Sequence, residues 1–173
     1  MNKLVGGVLG AVLLCMTGAA VAGTFTLPEK APVLSITFPD TWKTEIDEEG
    51  ALTGKTDDEE IEINLWALDA KGVEKDPKAA LQAAAAEINA YIAEWVTDFK
   101  PDAPTESEHN GIQSVDIMGF AKDKEEGKDV LVSVSFFTPD NKTLFAMMFW
   151  GYEEGLKKYL TDIQTVADSI KKP

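Results

Sequence analysis

Lys128-Asp129-Val130-Leu131-Val132-Ser133-Val134-Ser135-Phe136-Phe137, Thr138-Pro139-Asp140-Asn141-Lys142, Thr143-Leu144-Phe145-Ala146-Met147-Met148-Phe149-Trp150 is the stretch that decides the fold. Two apolar runs flank a short polar loop rich in turn residues, which predicts a β-hairpin. In the first run Val130, Val132, Val134 and Phe136 share one face, and Ser133 and Ser135 point the other way. The second run has no polar side after Thr143: Leu144, Ala146, Met148 and Trp150 oppose Phe145, Met147 and Phe149. A strand apolar on both faces needs cover on both faces.

Before the hairpin, Val33–Phe38 alternates as a strand, Pro39-Asp40 turns the chain, and Trp42–Ile46 and Ala51–Thr56 form two more strands around the turn Asp47-Glu48-Glu49-Gly50. A second acidic turn, Asp57-Asp58-Glu59-Glu60, leads into Ile61–Leu68, where Ile61, Ile63 and Leu65 alternate with Glu62 and Asn64. Short strands at this spacing predict an antiparallel meander. Asp76-Pro77 then opens a helix as N-cap and first helical residue. The spacing of Leu81, Ile88, Ile92, Trp95 and Phe99 carries that helix as one long amphipathic element up to Lys100-Pro101. Pro101–Asn110 reads as a polar loop and Gly111–Lys122 as a strand, followed by a turn at Asp123–Gly127. A last helix over Glu153–Lys171 carries acids at its start and Lys at its end, as the helix dipole favours. The expected fold class is α+β: an antiparallel sheet covered by helices on both faces, an α/β/α sandwich.

Residues 1–22 have the composition of a cleavable signal peptide: a positive Met1-Asn2-Lys3, an apolar Leu4–Met16, and Ala20-Val21-Ala22 as the cleavage pattern. A retained N-terminal membrane anchor is the alternative. Cys15 is preceded by Leu13-Leu14 where a lipoprotein signal needs a small residue, so a lipid anchor is not expected. Cleavage after Ala22 gives an extended lead-in over residues 23–32 and a single domain over residues 33–173, placed in the periplasm of a two-membrane bacterium. The 151 residues left contain no Cys, so packing alone must hold them together. They carry 15 Lys against 30 Asp and Glu, a net charge of −15, with no Arg anywhere in the chain. Without Arg, the preferred fork for phosphate, nucleic acid is not expected as a partner. An anionic membrane surface would repel the protein.

The motif Ile36-Thr37-Phe38-Pro39-Asp40-Thr41-Trp42-Lys43, this order of elements, and the terminal Asp168-Ser169-Ile170-Lys171 resemble the PsbP/Mog1-like superfamily over residues 33–172. The resemblance implies an α/β/α sandwich used mostly as a non-catalytic binding or accessory module, with members in photosystem assembly, small GTPase binding and envelope functions. It carries over no functional residue; Trp42 marks the motif and is expected in the core.

No catalytic constellation emerges. His109 is the sole imidazole, in a polar loop beside Asn110-Gly111, and any Ser-His-Asp or Cys-His chemistry would depend on it. It is expected to be solvated. The acidic turns at Asp47, Asp57-Asp58 and Asp123 could gather oxygen ligands for Ca²⁺ or another metal, but the turn at Asp123 lacks EF-hand spacing and its closing Glu, and solvated turns are the simpler reading of all three. Trp66 lies beside Glu62 and Asn64; it is expected under a helix, or, if exposed, as a partner anchor. The sequence therefore reads as an exported, non-enzymatic binding or accessory protein of the cell envelope, with no cofactor and with another envelope protein or a small ligand as partner. A metal-binding module is the alternative, and a hydrolase the remote one.

Overall fold

The computed structural model describes residues 23–69 and 71–173. The signal peptide, the membrane-anchor alternative and Cys15 lie outside the described residues. The hairpin is formed by β9 (Asp129–Thr138) and β10 (Leu144–Gly151), with Phe145 opposite Phe137 and Gly151 opposite Leu131. Asp140 closes its turn: one carboxylate oxygen accepts the backbone N–H groups of Lys142 and Thr143 at 2.9 and 2.7 Å. On its other side β10 pairs antiparallel with β5 (Ile61–Leu68), Leu144 opposite Leu68 and Gly151 opposite Ile61. The apolar ribbon is thus the interior of a sheet ordered β3-β4-β5-β10-β9-β8-β6, with β7 also paired to β8. The remaining members are β3 (Lys43–Ile46), β4 (Leu52–Lys55), β6 (Val96–Pro101), β7 (Thr105–His109) and β8 (Ile112–Asp123). Every pairing in the sheet is antiparallel, and among the described residues three helices accompany it: α1 (Pro77–Ala86), α2 (Ile88–Ile92) and α3 (Glu153–Ser169).

The alternation along the ribbon sorts its side chains into two apolar clusters. Val130, Val132, Val134, Phe136, Leu144, Ala146 and Met148 pack with Leu81, Ala84 and Ala85 of α1 and Ile88 and Ile92 of α2. Phe137, Phe145 and Phe149 pack with Ile61, Ile63 and Leu65 of β5, with Val166 of α3 and with Ile170 just beyond it. Phe145 is 1% exposed and Met148 0%, as a ribbon apolar on both sides requires. At about 25 cal/mol per Å² of apolar surface, burying each such side chain contributes roughly 1.5–3 kcal/mol.

Two expectations are corrected. First, the helix opened by Asp76 and Pro77 does not run to Phe99. Asp76 does cap it, accepting the Ala79 N–H at 3.0 Å, but α1 ends at Ala86, α2 at Ile92, and the chain then extends into β6. Val96 and Thr97 are β-branched, and Val96 is buried opposite Asp123 on β8, so sheet pairing outcompetes the helical spacing of Trp95 and Phe99. Gly119 makes this pairing close: a side chain there would run into the Lys100 backbone carbonyl. Secondly, the polar loop over 101–110 contains β7, paired with β8 through a tight turn in which Asn110 (φ 51°) and Gly111 (φ 71°) both take left-handed backbone. Within the extended lead-in over residues 23–32, Thr24–Leu27 forms β1 and pairs antiparallel with β2 (Leu34–Thr37).

This β1–β2 ribbon joins the cluster of Phe145 through Leu27, Leu34 and Ile36. It is tied to the chain's far end by two backbone hydrogen bonds, Ser35 N–H to the Lys171 carbonyl at 2.8 Å and Lys171 N–H to the Ser35 carbonyl at 3.1 Å. On the same side of the sheet β8 stays open. Its residues Met118 and Phe120 alternate away from the buried Ile117 and Ala121 and are 48% and 68% exposed.

Candidate functional site

Where the open strand β8 approaches the end of α3, the surface folds into a cleft of about 170 Å³. The walls come from far-separated stretches of the chain. The β7–β8 hairpin supplies Ser107, His109, Ser114 and Asp116; the end of α3 supplies Ala167 and Asp168; Phe137 and Met147 lie between them. The alternation of β7 and β8 aligns the polar set. Ser107 is opposite Ser114 and His109 opposite Ile112, so Ser107, His109, Ser114 and Asp116 stand on one face.

The hairpin is pinned to the helix. The Asn110 side-chain amide donates to the backbone carbonyls of Ile170 at 2.7 Å and Asp168 at 3.1 Å, satisfying carbonyls at a helix end that has no further turn to bond them. Beside this clamp His109 Nε2 lies 3.7 Å from Asp168 Oδ1, with the imidazole 53% exposed.

Inside the cleft the two serines and Asp116 form a closed group. Ser107 Oγ donates to Asp116 Oδ2 at 2.5 Å, Ser114 Oγ donates to the same oxygen at 3.0 Å, and the two hydroxyl oxygens are 2.6 Å apart. His109 shares this strand face yet makes no hydrogen bond to either serine among the described residues. A nucleophilic serine of the Ser-His-Asp kind needs an imidazole to take its proton. Here the serine protons go to a carboxylate, an anion that holds them in place, and the histidine faces a different aspartate.

The other candidates resolve into turn chemistry and packing. Asp47 Oδ1 accepts the N–H groups of Glu49 and Ala51, both at 2.9 Å, and Asp123 Oδ1 accepts those of Glu125 and Glu126 at 2.9 and 2.6 Å. Asp58 accepts hydrogen bonds from Lys158 Nζ at 2.7 Å and the Tyr159 hydroxyl at 3.0 Å, which ties the second acidic turn to α3. The Lys158 ammonium holds the Asp58 carboxyl far below the usual carboxylate range, and Asp58 in turn raises Lys158. Among the described residues no three His, Cys, Asp or Glu side chains converge to hold a metal ion. Trp42 is 2% exposed against Phe38 and Tyr159, the expected core position. Trp66 is half-buried against the α1–α2 cluster, its ring 6.3 Å from that of the exposed Trp95.

A second, larger groove of about 470 Å³ runs between the turns at Asp58 and Asp123, with Trp150 and Tyr152 in its wall. Burial and the neighbouring Asp123, Glu126, Glu60 and Glu125 push the Tyr152 hydroxyl up to about 12. Lys128 Nζ lies 5.2 Å above the Tyr152 ring and already occupies the aromatic face.

No family model matches the chain, and no curated protein does. Solved structures do. Cyanobacterial PsbP (CyanoP) from Synechocystis sp. PCC 6803 superposes with a TM-score of 0.60 at 11% identity, covering 96% of this chain and 98% of that one. LpqN of Mycobacterium tuberculosis, described as involved in cell envelope biogenesis, gives 0.50 at 12% identity over 86% and 90%. The Saccharomyces cerevisiae Ran-binding protein Mog1p gives 0.50 at 9% identity over 86% and 95%. Against a Bacteroides thetaiotaomicron structure the TM-score is 0.60 at 14% identity, and the chain spans about half of that protein, 49% of its length. Identities this low speak of fold alone. Among the described residues no helix is long and apolar enough to cross a membrane. From the sheet order, the two apolar clusters and these superpositions, the chain has the PsbP/Mog1-like fold.

Proposed function

We propose that this chain is an exported, non-enzymatic binding or accessory protein of the cell envelope. It is built as a sandwich, with α1 and α2 on one side of the sheet and α3 on the other, and it works through the surface that α3 leaves open. The observation that carries the reading is the cleft at the end of α3. An apolar floor with a few convergent polar groups is what a ligand site needs, and the serine protons are committed to Asp116 instead of an imidazole base. The exposed Met118 and Phe120 continue the same sheet face beyond the cleft, an apolar margin suited to a protein surface. The signal-like residues 1–22 and the likeness to an envelope protein, LpqN, support the location.

The test is photo-cross-linking in the native envelope, with the cross-linker at Phe120 and a control at the exposed turn residue Glu48. A discrete product at position 120 that is absent at position 48 is the expected result. Identical products at both positions overturn the surface assignment. Turnover in a broad activity screen that disappears in His109→Ala overturns the non-enzymatic one.

A further inference from the structure

We infer that the cleft at the end of α3 takes a primary ammonium group carried on a short apolar stem. This rests on the reading of the cleft as a binding site and names its ligand chemistry.

The inference follows from counting protons. Ser107 and Ser114 have one hydroxyl proton each, and while the contacts within Ser107, Ser114 and Asp116 hold, both protons are engaged there, two of the three contacts being hydrogen bonds at a time. The group therefore offers the cleft lone pairs only. Asp116 adds an oxygen, Oδ1, that takes no hydrogen bond among the described residues, since both serines are on Oδ2. A second carboxylate, Asp168, stands at the rim with its side chain 77% exposed, and among the described residues no Lys lines the cleft. Ser135 can donate or accept, and His109 is the remaining polar side chain. The cleft is thus rich in acceptors and poor in donors. A ligand satisfies it by bringing donors and positive charge, and an ammonium has three N–H donors and no acceptor.

The apolar part of the lining sets the rest of the ligand. Ile112, Phe137, Met147, Ala167 and Ile170 lie beside the polar set, and about 170 Å³ admits a stem of a few carbons. An alkyl carboxylate of the same length would bring a third anion to Asp116 and Asp168 and be repelled. The net charge of −14 extends the preference to the approach of the ligand. A free alkylamine and the side chain of a partner's lysine share this chemistry.

The probes are n-hexylamine, 1-hexanol, hexanoate and a lysine blocked at both backbone ends, titrated into ¹⁵N-labelled full chain and followed by amide shifts. Hexylamine is expected to move the amides of Ser107, Ser114, Asp116 and Met147, with hexanol binding more weakly at the same place and hexanoate not at all. Asp116→Asn is expected to weaken hexylamine about tenfold, the scale of a lost charge-assisted hydrogen bond, and to weaken the neutral hexanol by less. Tighter binding of the blocked lysine than of hexylamine assigns the site to a partner's side chain, and the reverse order to a free amine. Hexanol and hexylamine binding equally at these residues overturns the ammonium assignment and leaves the cleft as a binding site. Shifts that map to the groove around Tyr152, or no shifts with any probe, overturn both the ammonium assignment and the cleft reading.

Discussion

Asn110 donates its side-chain amide to the backbone carbonyl of Ile170 across a separation of 60 residues, at 2.7 Å. The bond joins the tip of the β7–β8 hairpin to the exit of α3, and so fixes the two walls of the cleft relative to each other. All five residues of β7 are exposed, so little burial holds this hairpin to the helix and the amide has a large share of the task.

Asn110→Gly removes that bond together with its companion to the Asp168 carbonyl. Glycine accepts the left-handed backbone at this position (φ 51°) but has no side-chain amide to donate. A loss of about 1–2 kcal/mol is expected, the usual net worth of one to two hydrogen bonds, and urea unfolding measures it. Asn110→Ala should lose about 1 kcal/mol more, because it also meets the steric cost of left-handed backbone. In both variants the β7 amides should exchange faster with solvent.

Phe145→Ala tests the centre of the sheet. Phe145 is 1% exposed and stacks on Phe137 with ring centroids 5.8 Å apart. The expected cost is about 3–5 kcal/mol, the range for a buried aromatic cut to alanine. His109→Ala, at a half-exposed imidazole, should change stability by less than about 0.5 kcal/mol. Chemical denaturation of the pair separates inside from outside, and comparable losses would contradict the burial pattern.

Gly119→Ala tests why β6 lies where it does. A Cβ at this position meets the Lys100 backbone carbonyl, which cannot swing aside as a flexible side chain would. Overpacking of this kind costs about 1–3 kcal/mol. Relief should come by lifting β6 from β8, so hydrogen exchange should rise across Val96–Pro101 while β9 and β10 keep their protection.

The Asp58–Lys158 pair predicts a response to acid. Its partners depress the native pKa of Asp58 below the unfolded value, so the unfolded chain takes up the proton first as pH falls. The stabilisation is therefore complete above the ordinary carboxylate range and is lost as pH falls through that range toward the lower native value. The Asp58 side chain is 37% exposed, so solvent screening keeps the effect small, about 1 kcal/mol or less. Melting temperatures from pH 6 to pH 2 should show a steeper fall for the natural protein than for Asp58→Asn, and parallel curves would remove the pair from the account.

The central architecture was legible because it is written in periodicity. Val130–Phe136 alternates and Leu144–Trp150 is apolar on both faces, and a β-strand has one side-chain period that sorts its faces. Trp95 and Phe99 misled because their spacing from Ile92 fits a helix, while the feature that decides against one, the bare Gly119 on a strand still to come, is remote in sequence. Asn110-Gly111 was the overlooked signal: that dipeptide favours a two-residue hairpin turn, and it predicted β7 despite a strand with no buried side chain. The serines of the cleft were not legible at all. Ser107, Ser114 and Asp116 acquire a shared role only through the register of β7 on β8, and no local pattern encodes it.

The bridge between Ser35 and Lys171 sets an order of events in folding. The β1–β2 ribbon can pair locally, but Ser35 finds its backbone partner, and Leu34 and Ile36 the Val166–Ile170 side of their packing, only across a long loop of intervening chain. Closing so long a loop costs entropy before its contacts repay it, so the ribbon is docked among the last elements to settle.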